Sequence, residues 1–475
     1  QIWLFGLTAL LFILAGMYSD RRIITIIPFI MMAGLLLVTK PSLVLLFFIA
    51  SFYLGDPLLV RGMILVDGAD MSLILLALAV LSILFGTSRM SISISQTDRT
   101  IISLLALMIL VSLMSIFLNL PSKKTSDIAT SFWYLFNFGQ LAVVYLLFSR
   151  ESISSRRETF INAIFILSAI ETIIATGQFL NSGQADVDTL REVKGTFVLH
   201  HCMLGNMMVI SFALCIYRYL KGGSLLHRTG YFAGIMLSLY TIVISGSRST
   251  LFGVFAAGSV WVLTTFKVSR KYFATLLIII AVVGGIGMLT PLKTLVANTF
   301  KNQSTQSLDL SSYGRILIWQ GAIVNFIQAP PLQKILGLGI GNYNTMKYSF
   351  RLVEGSKTAT GAHNNFLHVL TETGIAGFLI FAAFFAAILV NLRRRSKNDR
   401  LCYIYFYATI ALLFSGVTQE TFWFQPAFSR FWLFYIIFLA LCFGSQKQGS
   451  PGTEPLLPVP HHADDPATTS AASRQ

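Results

Sequence analysis

The chain has 475 residues, of which 55% are hydrophobic and only 12% charged, with a formal net charge of +15 and 39 phenylalanines. A soluble domain carries about 25% charged residues, so composition excludes an ordinary water-soluble enzyme, and its recurrent apolar runs of about 16 to 25 residues are membrane-span candidates. The positive charge falls mostly in short loops between those runs, where Lys and Arg set orientation and meet anionic headgroups, and no run interleaves bases with aromatics on a soluble surface as a nucleic-acid binder would.

In chain order the candidate spans are 2–17, 23–38, 42–60, 71–86, 101–118, 131–148, 160–177, 196–217, 231–245, 250–266, 272–289, 366–390, 401–416 and 431–444. Several are shorter than the roughly 20 residues that cross the hydrocarbon core, so the expected fold is an all-α, polytopic bundle of about 12–14 spans. A transmembrane β-barrel would show short segments of alternating polarity instead. The first apolar run lacks a basic n-region and a small-residue cleavage site, so it reads as a span rather than a cleaved signal peptide. Cys202, Cys215, Cys402 and Cys442 all lie in apolar segments without CxxC spacing and read as ordinary buried cysteines.

The expected organisation is an N-terminal transmembrane portion over 1–290, one large loop with short helices over 291–365, three further spans over 366–444, and a disordered tail over 445–475. Basic clusters at 150–157, 218–228, 267–271 and 393–400 are each two spans apart and so share a side, which the positive-inside rule makes cytoplasmic. The Asp20-Arg21-Arg22 turn departs from simple alternation. The long loop, the 178–195 loop, the Ser245–Ser249 turn and the 418–425 loop then face the opposite side. Within the long loop, 314–329 reads as an amphipathic surface helix stopped by Pro330-Pro331.

Residues able to carry chemistry collect on that second side. Arg248, in Ser-Gly-Ser-Arg-Ser-Thr, reads either as a headgroup-level arginine or as an anion contact beside a helix start, with Ser247, Ser249 and Thr250 adding hydroxyls. Arg315 stands near a helix N-terminus, where a cation does not help the macrodipole, so a solvated role and an anionic ligand are both open. His363 lies directly before a span beside Asn364 and Asn365; an imidazole there can take a proton from a hydroxyl nucleophile, and the asparagines can orient it or bind sugar hydroxyls. The run Gly337-Leu338-Gly339-Ile340-Gly341 lacks the dinucleotide or Walker pattern and reads as a close approach of backbone to a ligand or another helix. Asp186 and Asp188 spell Asp-x-Asp, but no nucleotide-sugar domain accompanies them, and no metal or cofactor is expected. Glu420, beside Phe422, Trp423 and Phe424, reads either as another carboxylate on that side or as an aromatic belt anchor. Glu171 is the clearest mid-span charge, the feature that a secondary transporter would need.

Taken in order, Ser245-Gly246-Ser247-Arg248, Gly314-Arg315 with Trp319, Gly337-x-Gly-x-Gly341-x-Tyr343, and His363-Asn364-Asn365-x-Leu367 with Gly374 and Gly377 resemble the O-antigen ligase/polymerase superfamily of bacterial inner-membrane proteins. Arg191 to Phe197 is similar to its upstream Arg-x-x-Gly-Thr-Phe element, with three residues rather than two between Arg191 and Gly195. The resemblance implies transfer of a glycan from a polyprenyl-pyrophosphate carrier to lipid A-core or another glycan acceptor at the periplasmic face of the inner membrane, without metal or nucleotide. It implies His363 as general base and Arg248 and Arg315 as the pyrophosphate clamp. Candidate substrate contacts are Arg191, Ser247, Trp319, Tyr343, Asn364 and Asn365. Ligation is favoured over polymerisation of repeat units or protein O-glycosylation by the single large loop nearest the C-terminus.

Overall fold

The computed structural model describes residues 95–122, 125–149, 157–181, 193, 201–266, 312–343, 361–422 and 429–444. The expected spans before residue 95, the 272–289 span, Arg191, Asp186, Asp188 and the 445–475 tail lie outside the described residues. Regular structure within them is all helical. The helices are α1 (Gln96–Asn119), α2 (Thr125–Phe148), α3 (Arg157–Asn181), α4 (His201–Lys221), α5 (Leu225–Ile244), α6 (Arg248–Phe266), α7 (Ser312–Gln328), α8 (Pro331–Leu336), α9 (Asn365–Arg395), α10 (Arg400–Thr418) and α11 (Ser429–Gly444). Among the described residues, α1, α2, α3, α4, α9 and α10 are long and apolar enough to cross a membrane, and α11 is a shorter apolar helix. This is a multi-pass, all-α membrane protein.

Local chemistry explains the helix starts. Ser95 and Asp98 form a reciprocal capping box at α1. The Asp399 side chain accepts the Leu401 N–H at 2.8 Å to cap α10. Pro331 occupies the first turn of α8, where its missing N–H removes no helical bond. The expected 314–329 helix is α7, and it stops where the two prolines were expected to stop it.

The basic residues expected to share a side meet at one end of the bundle. There Arg157 Nη1 bonds Asp399 Oδ2 at 2.7 Å, Arg218 and Lys221 both pair with Glu158, and Arg400 Nη1 donates to the Leu220 carbonyl at 3.0 Å. Arg395 Nη1 donates to the Phe443 carbonyl at 2.7 Å. The ends of α3, α4, α9, α10 and α11 are thereby tied together. The α5–α6 turn, α7, α8, the start of α9 and the segment after α10 lie at the other end.

Two features there escape hydropathy. The first is a break inside α9, where Gly374 adopts φ 69° and ψ −169°. A broken helix leaves carbonyls without intrahelical donors, and a buried carbonyl left bare costs about 1–3 kcal/mol. Here the glycine run supplies the donors: Leu338 N–H bonds the Thr371 carbonyl at 2.9 Å and Gly339 N–H the Glu372 carbonyl at 3.2 Å. Ser115 Oγ of α1 adds a second bond to the Glu372 carbonyl at 3.0 Å. The run therefore approaches another helix.

Gly337, at φ 92°, faces the Glu372 and Thr373 backbone, and Gly374 faces the Ile335 carbonyl, so a Cβ at either would strike main chain. Gly337→Ala or Gly374→Ala is expected to destabilise the protein by at least about 3 kcal/mol. Thermal melting in detergent checks this against Gly258→Ala, whose Cβ would enter open space. Melting temperatures indistinguishable from that control would contradict the tight approach.

Candidate functional site

The second feature is a block of buried hydroxyls and amides holding the α5–α6 turn. Gly205 of α4 lies so close to Ser247 and Thr250 that a Cβ there would press on both side chains, and Gly253 of α6 abuts the Ala411 carbonyl of α10. At this spacing Asn206 of α4 serves three partners. Its Oδ1 accepts from Thr250 Oγ1 and Ser415 Oγ, each at 3.0 Å, and its Nδ2 donates to Thr421 Oγ1 at 3.3 Å. Ser247 Oγ is 2.6 Å from Thr250 Oγ1, and Ser249 Oγ donates to Gln419 Oε1 at 2.9 Å. Ser247, Ser249, Thr250, Gln419 and Thr421 are all buried. Arg248 is exposed, as the first residue of α6, so the network fixes the residues on either side of an outward-facing guanidinium.

Arg315 is half-buried on α7. Its charge is felt at the Cys202 thiol of α4, which is also within hydrogen-bond reach of Ser247, Ser249 and Gln419. Cys202 therefore links the surroundings of the two arginines. One turn after Arg315, Trp319 Nε1 donates to the Ala362 carbonyl at 2.9 Å, the peptide that leads into His363. Ile318, Ala322, Tyr343 and Ala362 bury one another, and the Tyr343 ring lies 5.0 Å from that of His368. Trp319 and Tyr343 thus brace α7 against α9.

His363 has φ 47°, unlike every other non-glycine among the described residues, and its side chain is 26% exposed. Such a conformation costs about 1–2 kcal/mol and needs an anchor. Glu420 is that anchor: it is fully buried, and its Oε1 accepts the His363 N–H at 2.7 Å. The same oxygen is 2.9 Å from His368 Nδ1, while Glu420 Oε2 has no hydrogen-bond partner and lies 3.9 Å from His363 Nδ1. Across the ring, His368 Nε2 is 3.2 Å from Glu372 Oε1, which also accepts the Tyr343 N–H at 3.2 Å. Burial alone would raise the Glu420 carboxyl. The His368 hydrogen bond, the charges of His363 and His368 and the His363 N–H outweigh it and hold the group well below the usual carboxylate range.

The two asparagines do local work. Asn364 caps α9, its Oδ1 accepting from the Phe366 and Leu367 N–H groups at 2.9 and 3.0 Å. Asn365 is fully buried; its Oδ1 accepts the Phe422 N–H at 3.0 Å and its Nδ2 has no partner. Asn365 thus pins the segment that carries Glu420 to the start of α9.

The reading of Glu420 as an aromatic belt anchor is corrected: the carboxylate is enclosed and holds the His363 backbone. Sequence reasoning missed Glu372 and His368. Their signal was their i, i+4 spacing on an apolar helix that has no other charge before Arg393. Glu171 is buried on α3 beside Thr172, which Thr241 Oγ1 of α5 meets at 2.9 Å. All four cysteines are free and buried.

Among known proteins, residues 233–382 match the family model described as O-Antigen ligase. That stretch holds Arg248, Arg315, the glycine run, His363, His368, Glu372 and the Gly374 break; Asn206 and Glu420 lie outside it. No curated protein matched the chain. With its helical bundle and this domain, the chain is similar to O-antigen ligases over residues 233–382, which supports a membrane enzyme of the ligase/polymerase type.

Proposed function

We propose that this protein moves a glycan from a polyprenyl-pyrophosphate carrier to a sugar hydroxyl, and that its acceptor is lipid A-core. The observation that carries this reading is the tie between two walls of one site. Glu420 holds the His363 backbone, and its neighbour Gln419 holds Ser249, next to Arg248. The backbone of His363, just before α9, and Ser249, next to Arg248 on α6, are thereby tied to one short segment, at the end of the bundle away from the basic cluster. By the positive-inside rule that end is periplasmic, in the bacterial inner membrane.

In this mechanism His363 takes the proton of the acceptor hydroxyl as its oxygen attacks the anomeric carbon from the face opposite the leaving group. The new C–O bond forms as the bond to the pyrophosphate breaks. The electron pair stays on the polyprenyl pyrophosphate, the proton passes to His363 and then to water, and the anomeric configuration inverts. Arg248 and Arg315 hold the pyrophosphate and offset its growing charge, a task suited to planar guanidinium forks. The donor is already activated, so the reaction draws on no nucleotide, and its charge is met by arginine rather than metal.

Expression in ligase-deficient and polymerase-deficient cells tests the acceptor, read by lipopolysaccharide banding, and purified protein is assayed with and without chelator. Restored capping of lipid A-core in the first strain and full turnover in chelator are expected. Rescue of the second strain alone would make the acceptor a repeat unit. Rescue of neither would favour protein glycosylation or a transporter, and metal-dependent turnover would return Asp186 and Asp188 to consideration.

A further inference from the structure

The mechanism above leaves a buried charged chain unused. Glu372, His368 and Glu420 form a line that ends at His363, and all three are within 2% of full burial. Both ring nitrogens of His368 face carboxylate oxygens, at 2.9 and 3.2 Å, and both can donate only as imidazolium. The unused acceptor in this line is Glu420 Oε2, which is buried, makes no hydrogen bond, and has His363 Nδ1 at 3.9 Å.

Resting on the glycosyl-transfer reading, we infer that Glu420 is the positioning residue of the reaction, its Oε2 holding the Nδ1–H of His363 so that Nε2 takes the proton of the acceptor hydroxyl. Hydrogen bonds of catalytic pairs are often long in the empty enzyme and close in the loaded one. As Nε2 takes the proton, the imidazole becomes a cation beside the Glu420 carboxylate. That change favours the transition state over the ground state, as a preorganised charge should. The left-handed turn at His363 has the same origin, because Glu420 Oε1 holds the backbone N–H while Oε2 addresses the ring. His368 and Glu372 keep the carboxylate in place. Among the described residues, Tyr343 and, from α2, Tyr134 also face the cluster, and the electrostatic partners of both include both glutamates.

Glu420→Gln tests the assignment, since the amide oxygen can still accept the His363 N–H while the charge and the acceptor for Nδ1–H are both lost. In purified, folded protein kcat is expected to fall about 10²-fold with KM for the lipid-linked donor little changed. Glu420→Asp, which keeps the charge and the acceptor, should recover part of the lost kcat. In the wild-type protein, nitrogen NMR of the His363 imidazole, assigned by difference with His363→Asn, should show the Nδ1–H tautomer. An unchanged kcat in Glu420→Gln, or an Nε2–H tautomer in the wild type, overturns the role of Glu420 alone. A wild-type protein that transfers nothing from the lipid-linked donor overturns the glycosyl-transfer reading instead.

Discussion

His363→Ala is expected to reduce glycan transfer by about 10²- to 10⁴-fold, the range for removal of a positioned general base, while the protein still folds and inserts. Folding should survive because Glu420 grips His363 through its backbone N–H, which alanine keeps, and the imidazole is partly open to solvent. The backbone gives a sharper version of the same experiment. At φ 47° an asparagine is tolerated better than most residues and a glycine has no steric penalty. His363→Asn should therefore fold like the wild type without a base. His363→Gly should relieve about 1 kcal/mol of strain and raise the melting temperature while abolishing transfer. Gained stability with lost activity is the signature of a residue held in a costly conformation for function. Near-normal transfer by His363→Asn in purified protein would remove His363 from the role of base.

The way these residues are held explains what could be read from the sequence. Each helix of the bundle lies on an expected apolar run, because hydropathy over about 20 residues is a local property. The convergence of Arg157, Arg218, Lys221, Arg395 and Arg400 at one end was legible for the same reason: charge in short loops is set by the membrane. The break in α9 was not. Ile375, Ala376, Gly377 and Phe378 continue the apolar run past Gly374, and a glycine inside a span looks the same whether or not the helix is interrupted. Its cause lies some thirty residues upstream, in donors from Leu338 and Gly339. Glu420 was misread for a related reason. Beside Phe422 and Trp423 it has the local pattern of an interfacial anchor, and only the fold brings it to His368 and His363, more than fifty positions away. Arg248 and Ser247 were recognised as a turn, but Asn206, which holds that turn through Thr250, sits in a span where a lone amide carries no pattern.

The second large effect is expected at the two arginines. Arg248→Ala and Arg315→Ala should each lower kcat/KM for the lipid-linked donor by about 10²- to 10³-fold, the magnitude for losing a preorganised charge in a transition state. Arg248→Lys and Arg315→Lys should retain only part of the activity, because a lysine keeps the charge but loses the planar fork that meets two phosphate oxygens at once. The decisive measurement is the double variant. Arg248 begins α6 and Arg315 sits on α7, and the Cys202 thiol is within reach of Ser247 and Ser249 on one side and feels the Arg315 charge on the other. If both guanidiniums hold one pyrophosphate, removing the second after the first should cost much less than removing it alone, and the pair should depart from additivity by more than about 0.5 kcal/mol. Independent anchors, one at the lipid headgroups and one on a solvated helix, would give additive losses. That result, in protein whose melting temperature matches the wild type, would take the clamp apart while leaving the base at His363 standing.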